Sequence, residues 1–326
     1  MTSPDTQGAA ERLQAGPERT AAGWLGVFLR GMAMGVAEVI PGVSGGTVAF
    51  ISGIYHELLA SIARFGPATL TALVRDGVAA TWRSHNATFL VLLAAGMLAS
   101  LVSVARAVAW LLDVAPPLVW SFFFGLILAS LPPLLRAVRR HLSASDGRGL
   151  AIAILLGLAG CALGALLANL APTSLEPAAW WFVPAGMIAV SAWILPGVSG
   201  SMLLLLMGLY PALLLALNER DVGVLLCLAL GCLLGLLLFA RLLTWLLDRF
   251  PAPLLALLTG VMAGSLPRLW PWRDEQGLVW PADYAALGLE PWTLGALLSL
   301  ALGVAAVWLL ERAAPEASET SEASDT

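Results

Sequence analysis

The sequence predicts an all-α, polytopic integral membrane protein: an inverted repeat, each half a re-entrant helical hairpin plus three transmembrane helices. The first observation is composition. Of 326 residues, 59% are hydrophobic and 12% charged, with a mean hydropathy of +0.87, whereas soluble domains sit at roughly 45–50% apolar and about 25% charged. The second is run length. Apolar runs at 88–112, 117–135, 149–170, 222–247, 254–269 and 292–311 approach or exceed the roughly 20 residues that cross a bilayer as a helix. The third is duplication, since PGVSG stands at 41–45 and again at 196–200, each time inside an apolar stretch.

Aligning Pro41 with Pro196, an offset of 155, brings Gly31 onto Gly186, Met32 onto Met187, Ala37 onto Ala192, Gly53 onto Gly208 and Tyr55 onto Tyr210. A second block repeats at an offset of 135: RAVAWLLDVAPPLVWSFFFGLILASLPPL (106–134) matches RLLTWLLDRFPAPLLALLTGVMAGSLPRL (241–269). Arg106 then pairs with Arg241, Trp110 with Trp245, Asp113 with Asp248 and Gly125 with Gly260. The offset falls because a loop at 61–87 is nearly absent from the second half. Two blocks repeated in the same order identify an internal duplication. The chain divides into a disordered tail (1–22), a first repeat (23–170), a second repeat (171–312) and an acidic disordered tail (313–326).

Residues 24–60 form an apolar stretch of 37 residues, too long for one crossing and short for two. Pro41 and the neighbouring glycines interrupt it near the middle, which predicts a helix–turn–helix entering and leaving on one face. Three further spans make the crossing number of each repeat odd, so the second repeat is upside down relative to the first. The arginines test this. With both termini cytoplasmic, the inside segments hold Arg12, Arg19, Arg30, Arg64, Arg75, Arg83, Arg136, Arg139, Arg140, Arg148, Arg249 and Arg312. The outside segments hold Arg220, Arg268 and Arg273 among eight acidic residues. That is the positive-inside pattern of a protein of the cytoplasmic membrane, and a single crossing by 24–60 would break it. The Trp-rich stretch 270–292 suits the outer interface.

Composition excludes several classes. All 17 basic residues are Arg, so there is no Walker-type phosphate loop and no Schiff-base lysine. The modest net charge of −4 gives no support to nucleic-acid binding. The first 22 residues lack the apolar stretch of a secretory signal. Cys161, Cys227 and Cys232 lie inside apolar runs and read as inert core thiols. His56, His85 and His141 lack metal-ligand spacing, so neither a metal nor a cofactor is expected.

The candidate site lies at the two breaks. Interrupted helices at membrane depth are tolerated only against protein or a water-filled cavity, and in secondary transporters their half-helix N-termini point at anionic groups. The N–H groups around Ser44, Gly45, Gly46 and Thr47, and around Ser199, Gly200 and Ser201, are expected to stand as unpaired donors at a positive dipole end. That suits a phosphate or a carboxylate. The plainer alternative is that these residues only make a tight turn and let the hairpins pack. Glu38 lies three residues before Pro41, and its repeat partner is Trp193. It carries a coupling H+ or Na+, pairs with an Arg, or caps its own turn. Arg106 and Arg241 either snorkel to the interface or form a paired clamp on phosphate. Arg30 meets an entering headgroup or anchors the hairpin.

RGMAMGVAEVIPGVSGGTVAFISGIYHEL, followed by a second PGVSGSMLLLLMGLY, resembles a bacterial and archaeal membrane family associated with polyprenyl-phosphate transport. The resemblance covers about 24–312. It implies a transporter or flippase that returns undecaprenyl phosphate, the lipid carrier of cell-envelope synthesis, to the cytoplasmic leaflet. The implied partners are that lipid and the bilayer; the oligomeric state is left open. Two other readings stand beside it. One is an ion-coupled secondary transporter of a small anion. The other is an intramembrane hydrolase, because GVSGG satisfies G-x-S-x-G and resembles the rhomboid protease motif. A nucleophilic Ser needs a base within reach, and no His follows position 141, so no enzyme is expected.

Overall fold

The computed structural model describes residues 19–39, 44–142, 147–170, 178–274 and 277–313. Pro41, Gly42 and Val43 of the first motif, and most of both tails, lie outside the described residues.

Each PGVSG segment folds in three pieces. In the first, α1 (Ala21–Val39) precedes the break and α2 (Gly45–Ile51) follows it. Ser44 is the N-cap of α2, with extended backbone and a side-chain oxygen that accepts the Gly46 N–H, the usual means of satisfying a first-turn donor. α2 runs back alongside α1, so that Arg30 Nε donates to the Ser52 carbonyl at 3.3 Å. Gly53 then takes φ +74°, a left-handed conformation open to glycine, and α3 (Tyr55–Ala63) leaves at 117°. The second segment repeats this order at matching positions. α10 (Phe182–Ile194) precedes a break at 195–199, α11 (Gly200–Leu206) follows, Gly208 takes φ +71°, and α12 (Tyr210–Glu219) leaves at 105°.

Between the segments the halves differ. Residues 61–87, expected as loop, carry two short, largely exposed helices, α4 (Pro67–Asp76) and α5 (Val78–Ser84). The apolar run at 88–112 is not one helix. It forms α6 (Ala87–Ser103) and α7 (Ala105–Val114), interrupted at Val104. Ser100 and Ser103 bond back to the carbonyls of Met97 and Ala99 at 2.9 and 2.5 Å, and such back-bonding bends helices. The second half has Gly235 and Leu238 at those positions, and its helix α13 (Val222–Arg249) runs 28 residues unbroken.

The remaining long helices are α8 (Pro116–Arg140), α9 (Gly147–Asn169), α14 (Pro251–Ser265, extended by a 3-10 turn to Leu269) and α16 (Thr293–Ala313). With α13, five helices among the described residues are long and apolar enough to cross a membrane, and up to eight if each bent pair is one span. The protein is a multi-pass membrane protein.

The long helices pack in pairs, α1 on α6, α10 on α13, α9 on α14 and α16 on α8. Small residues let the backbones touch. A Cβ at Gly31 would lie 2.2 Å from the Leu93 carbonyl oxygen, and one at Gly231 would lie 2.1 Å from that of Val183. Lipid tails give no hydrophobic drive to helix association, so close packing of this kind supplies it. With the halves divided as the sequence alignment divides them, the last two pairs cross between halves, α9 on α14 and α16 on α8. Near α8 and α16, the Trp-rich stretch with its short helix α15 (Pro281–Ala286) folds back, and Trp270 packs edge-on against Phe124, Trp272 and Trp280.

Candidate functional site

The two breaks abut. Ser44 and Thr47 are fully buried. Ser44 Oγ donates to the Trp193 carbonyl at 2.6 Å and accepts the Gly46 N–H at 3.1 Å. Thr47 Oγ1 accepts the Gly197 N–H at 3.0 Å, so the start of α2 is bonded at one end to the last turn of α10 and at the other to the second motif. Between these bonds, a Cβ on Gly46 would lie 2.4 Å from the Ile194 oxygen and 2.7 Å from that of Trp193. Only glycine permits that approach.

Glu38 completes this contact. Its Oε1 accepts the Gly45 N–H at 2.6 Å, and the Trp193 side chain also hydrogen-bonds the carboxylate. The two residues at the one position where the duplication is most visibly broken therefore touch each other. Its oxygen meets the first N–H of α2, an otherwise open donor at the positive end of the helix.

The expectation that the N–H groups of Ser44–Thr47 stand unpaired is not met. Gly45 donates to Glu38, Gly46 to Ser44 Oγ, and Thr47 to the Ser44 carbonyl at 3.0 Å. The reason is general: a buried donor without water must find an internal partner. α11 differs. Ser199 is buried but makes no side-chain cap on that helix, and its Oγ lies 3.0 Å from Ser201 Oγ. Gly200 lies tight against α10, where a Cβ would be 2.4 Å from the Ala189 oxygen.

The three arginines are not gathered here. Arg30 is bound at the far end of α2. Arg241, on α13, donates through Nε to the Ala63 carbonyl at 3.1 Å and through Nη2 to that of Phe65 at 2.5 Å. It thus caps the C-terminal end of α3, where a cation meets the negative dipole end. Arg106 is exposed at the start of α7 and has no partner among the described residues.

Sequence reasoning missed two features. Trp193 was noted only as the partner of Glu38, yet its carbonyl and ring hold both Ser44 and Glu38. The broken duplication was the available signal. The other is a polar cluster beside α3. Arg19 pairs with Glu57 through two bonds of 2.9 and 2.5 Å, and Asn86 Nδ2 donates to Glu57 at 2.8 Å and to Ser61 Oγ at 3.1 Å. Nothing in residue spacing joins positions so far apart.

Residues 34–286 match the model of the undecaprenyl phosphate translocase-like family. A polyprenyl-phosphate transporter of Vibrio cholerae serotype O1 is 39% identical over 308 residues, covering 89% of this chain and 96% of the relative. A polyprenyl-phosphate transporter of Staphylococcus aureus is 29% identical over 294 residues, covering 86% and 96%. No solved structure matches the chain. A multi-pass bundle with two abutting motif-bearing breaks, matched along most of its length by these sequences, belongs to the undecaprenyl phosphate translocase-like family.

Proposed function

We propose that this protein carries a polyprenyl phosphate, undecaprenyl phosphate in the first instance, across the cytoplasmic membrane to the inner leaflet, where the carrier lipid re-enters cell-envelope synthesis. The observation that carries the reading is the buried junction of two helix breaks, Ser44–Thr47 against Trp193–Gly197. A phosphate headgroup meets a large barrier in hydrocarbon, while its isoprenoid tail does not. The protein needs only a shielded anion site, reachable from each leaflet and open sideways to lipid. Re-entrant hairpins from opposite faces, as an inverted repeat would place them, meet at such a depth.

In this reading Ser199, Gly200 and Ser201 receive the phosphate on the uncapped start of α11, with Ser44, Gly45, Gly46 and Thr47 facing them across the junction. Glu38 holds the Gly45 N–H. Protonating Glu38, or exchanging its charge against Na+, releases that donor to the incoming phosphate, which couples headgroup binding to a cation. Both termini are cytoplasmic, following the arginine bias. Ser44 does not act as a nucleophile, since its hydroxyl is committed to the Trp193 carbonyl and no His contacts it among the described residues. His85, for instance, bonds to Thr69 and Thr81.

The test is reconstitution in liposomes with a fluorescent polyprenyl phosphate in one arm and inorganic phosphate in the other. The Ser199→Ala/Ser201→Ala variant should insert normally and lose most lipid translocation. Transport of inorganic phosphate without lipid movement would instead establish the small-anion reading.

A further inference from the structure

Several matching apolar residues in the two halves pack in opposite ways, although Leu58 and its counterpart Leu213 are both buried. On α3, Leu59 is 0% exposed and Ile62 6%, in one core cluster with Ala240 and Leu243 of α13. Their counterparts on α12, Leu214 and Leu217, are 44% and 52% exposed. The facing helix shows the same split. Leu236 and Leu237 of α13 pack against the main core, whereas their counterparts Leu101 and Val102 on α6 are 41% and 80% exposed. The second segment packs instead into a satellite cluster around Phe182, Leu204 and Leu209. The arginines follow suit: Arg241 is fastened to the end of α3, and Arg106 is free among the described residues.

The apolar positions named here are apolar in both halves and each Arg matches an Arg, although α3 also carries Glu57 and Ser61, held by Arg19 and Asn86, where α12 has Ala212 and Ala216. We infer that the structure is one of two access states, and that Arg106 and Arg241 are alternate latches. In the other state α12 closes on α6 and α7, and Arg106 caps the carbonyls of Asn218 and Arg220, the counterparts of Ala63 and Phe65. Glu219 and Asp221 add negative charge at that end. α3 then releases from α13. Two repeats that share their motifs and apolar pattern can hold the two arrangements close in energy, and alternating access exchanges them around a fixed site. Closing both ends at once would seal the site from both leaflets. The interruption at Val104 lies where the open side must bend. This inference rests on the transport reading for its purpose, though not for its geometry.

Cross-linking tests it. In a background with Cys161, Cys227 and Cys232 replaced by Ala, Ile62→Cys/Leu237→Cys reports the present state, because both residues line one cavity. Leu217→Cys/Val102→Cys reports the other. With a short bifunctional maleimide in proteoliposomes, both pairs should cross-link, each linked form should stop transport, and the two linkages should respond in opposite senses. Arg241→Gln should shift the ratio about five-fold toward the second linkage and Arg106→Gln about five-fold toward the first, from loss of charged hydrogen bonds. A purely structural role would not produce reciprocal shifts. Leu214→Cys/Leu101→Cys serves as a second reporter should the first fail to insert. The inference is overturned if neither reporter of the second state ever cross-links, if the two Arg variants shift the ratio the same way or not at all, or if linked protein still transports. Because the readout is on the protein, reciprocal shifts without polyprenyl-phosphate transport would uphold the latches and reject the lipid cargo.

Discussion

Thr47 is a buried hydroxyl that accepts the Gly197 N–H. Thr47→Val keeps the shape and removes the acceptor, so it should cost about 1–3 kcal/mol through the orphaned donor, while Thr47→Ser should cost little. Thermal unfolding in detergent measures both. Gly46→Ala should cost a comparable amount by a different route, because the new methyl would meet two carbonyl oxygens. Pushing the breaks apart costs about 1–3 kcal/mol as overpacking, read in the same melt. Glu38 separates structure from coupling. Glu38→Gln still offers an oxygen to the Gly45 N–H, so the fold should hold and the melting temperature should change little. Transport should lose its dependence on the proton or sodium gradient, measured as lipid flux with each gradient collapsed in turn. The sequence marked Ser44, Thr47 and Glu38 as polar groups in apolar surroundings. Their partners at Trp193 and Gly197, about 150 residues away, were invisible because nothing local specifies them.

Helix existence was legible at the element scale, since each of the six long apolar runs lies on helix. Two local details were not. The interruption at Val104 coincides with hydroxyls of Ser100 and Ser103 turned back onto their own helix, an arrangement that α13 also makes at Thr244 without breaking. The helices at 67–84 are short and exposed, too short to stand out beside the long apolar runs. Pairing is set by small residues. Gly231→Val should force α10 from α13 against the Val183 backbone, with a cost of at least about 1–3 kcal/mol. A reduced yield of monodisperse protein on size-exclusion chromatography checks it.

For the whole molecule, the exchange of third helices matters most. Because α9 lies on α14 and α16 on α8, the halves cannot separate as independent domains. Each half supplies a wall for the other, and relative motion is left to the segments that carry the breaks. The topology has its own test. Green fluorescent protein fused after residue 313 should fluoresce, and alkaline phosphatase inserted between 171 and 177 should be active if both termini are cytoplasmic.

By itself, the sequence determined that the chain lives in a membrane, that it is duplicated, and that each copy is broken at PGVSG. Hydropathy, turn chemistry and repeated spacing are local quantities, readable one segment at a time. Tertiary structure alone decided that Glu38 fills the donor end of α2, that the breaks bond through Trp193 and Gly197, and that α3 buries Leu59 and Ile62 while α12 leaves their counterparts Leu214 and Leu217 exposed. Those outcomes depend on which surfaces meet, and two copies of one pattern cannot say which copy takes which arrangement.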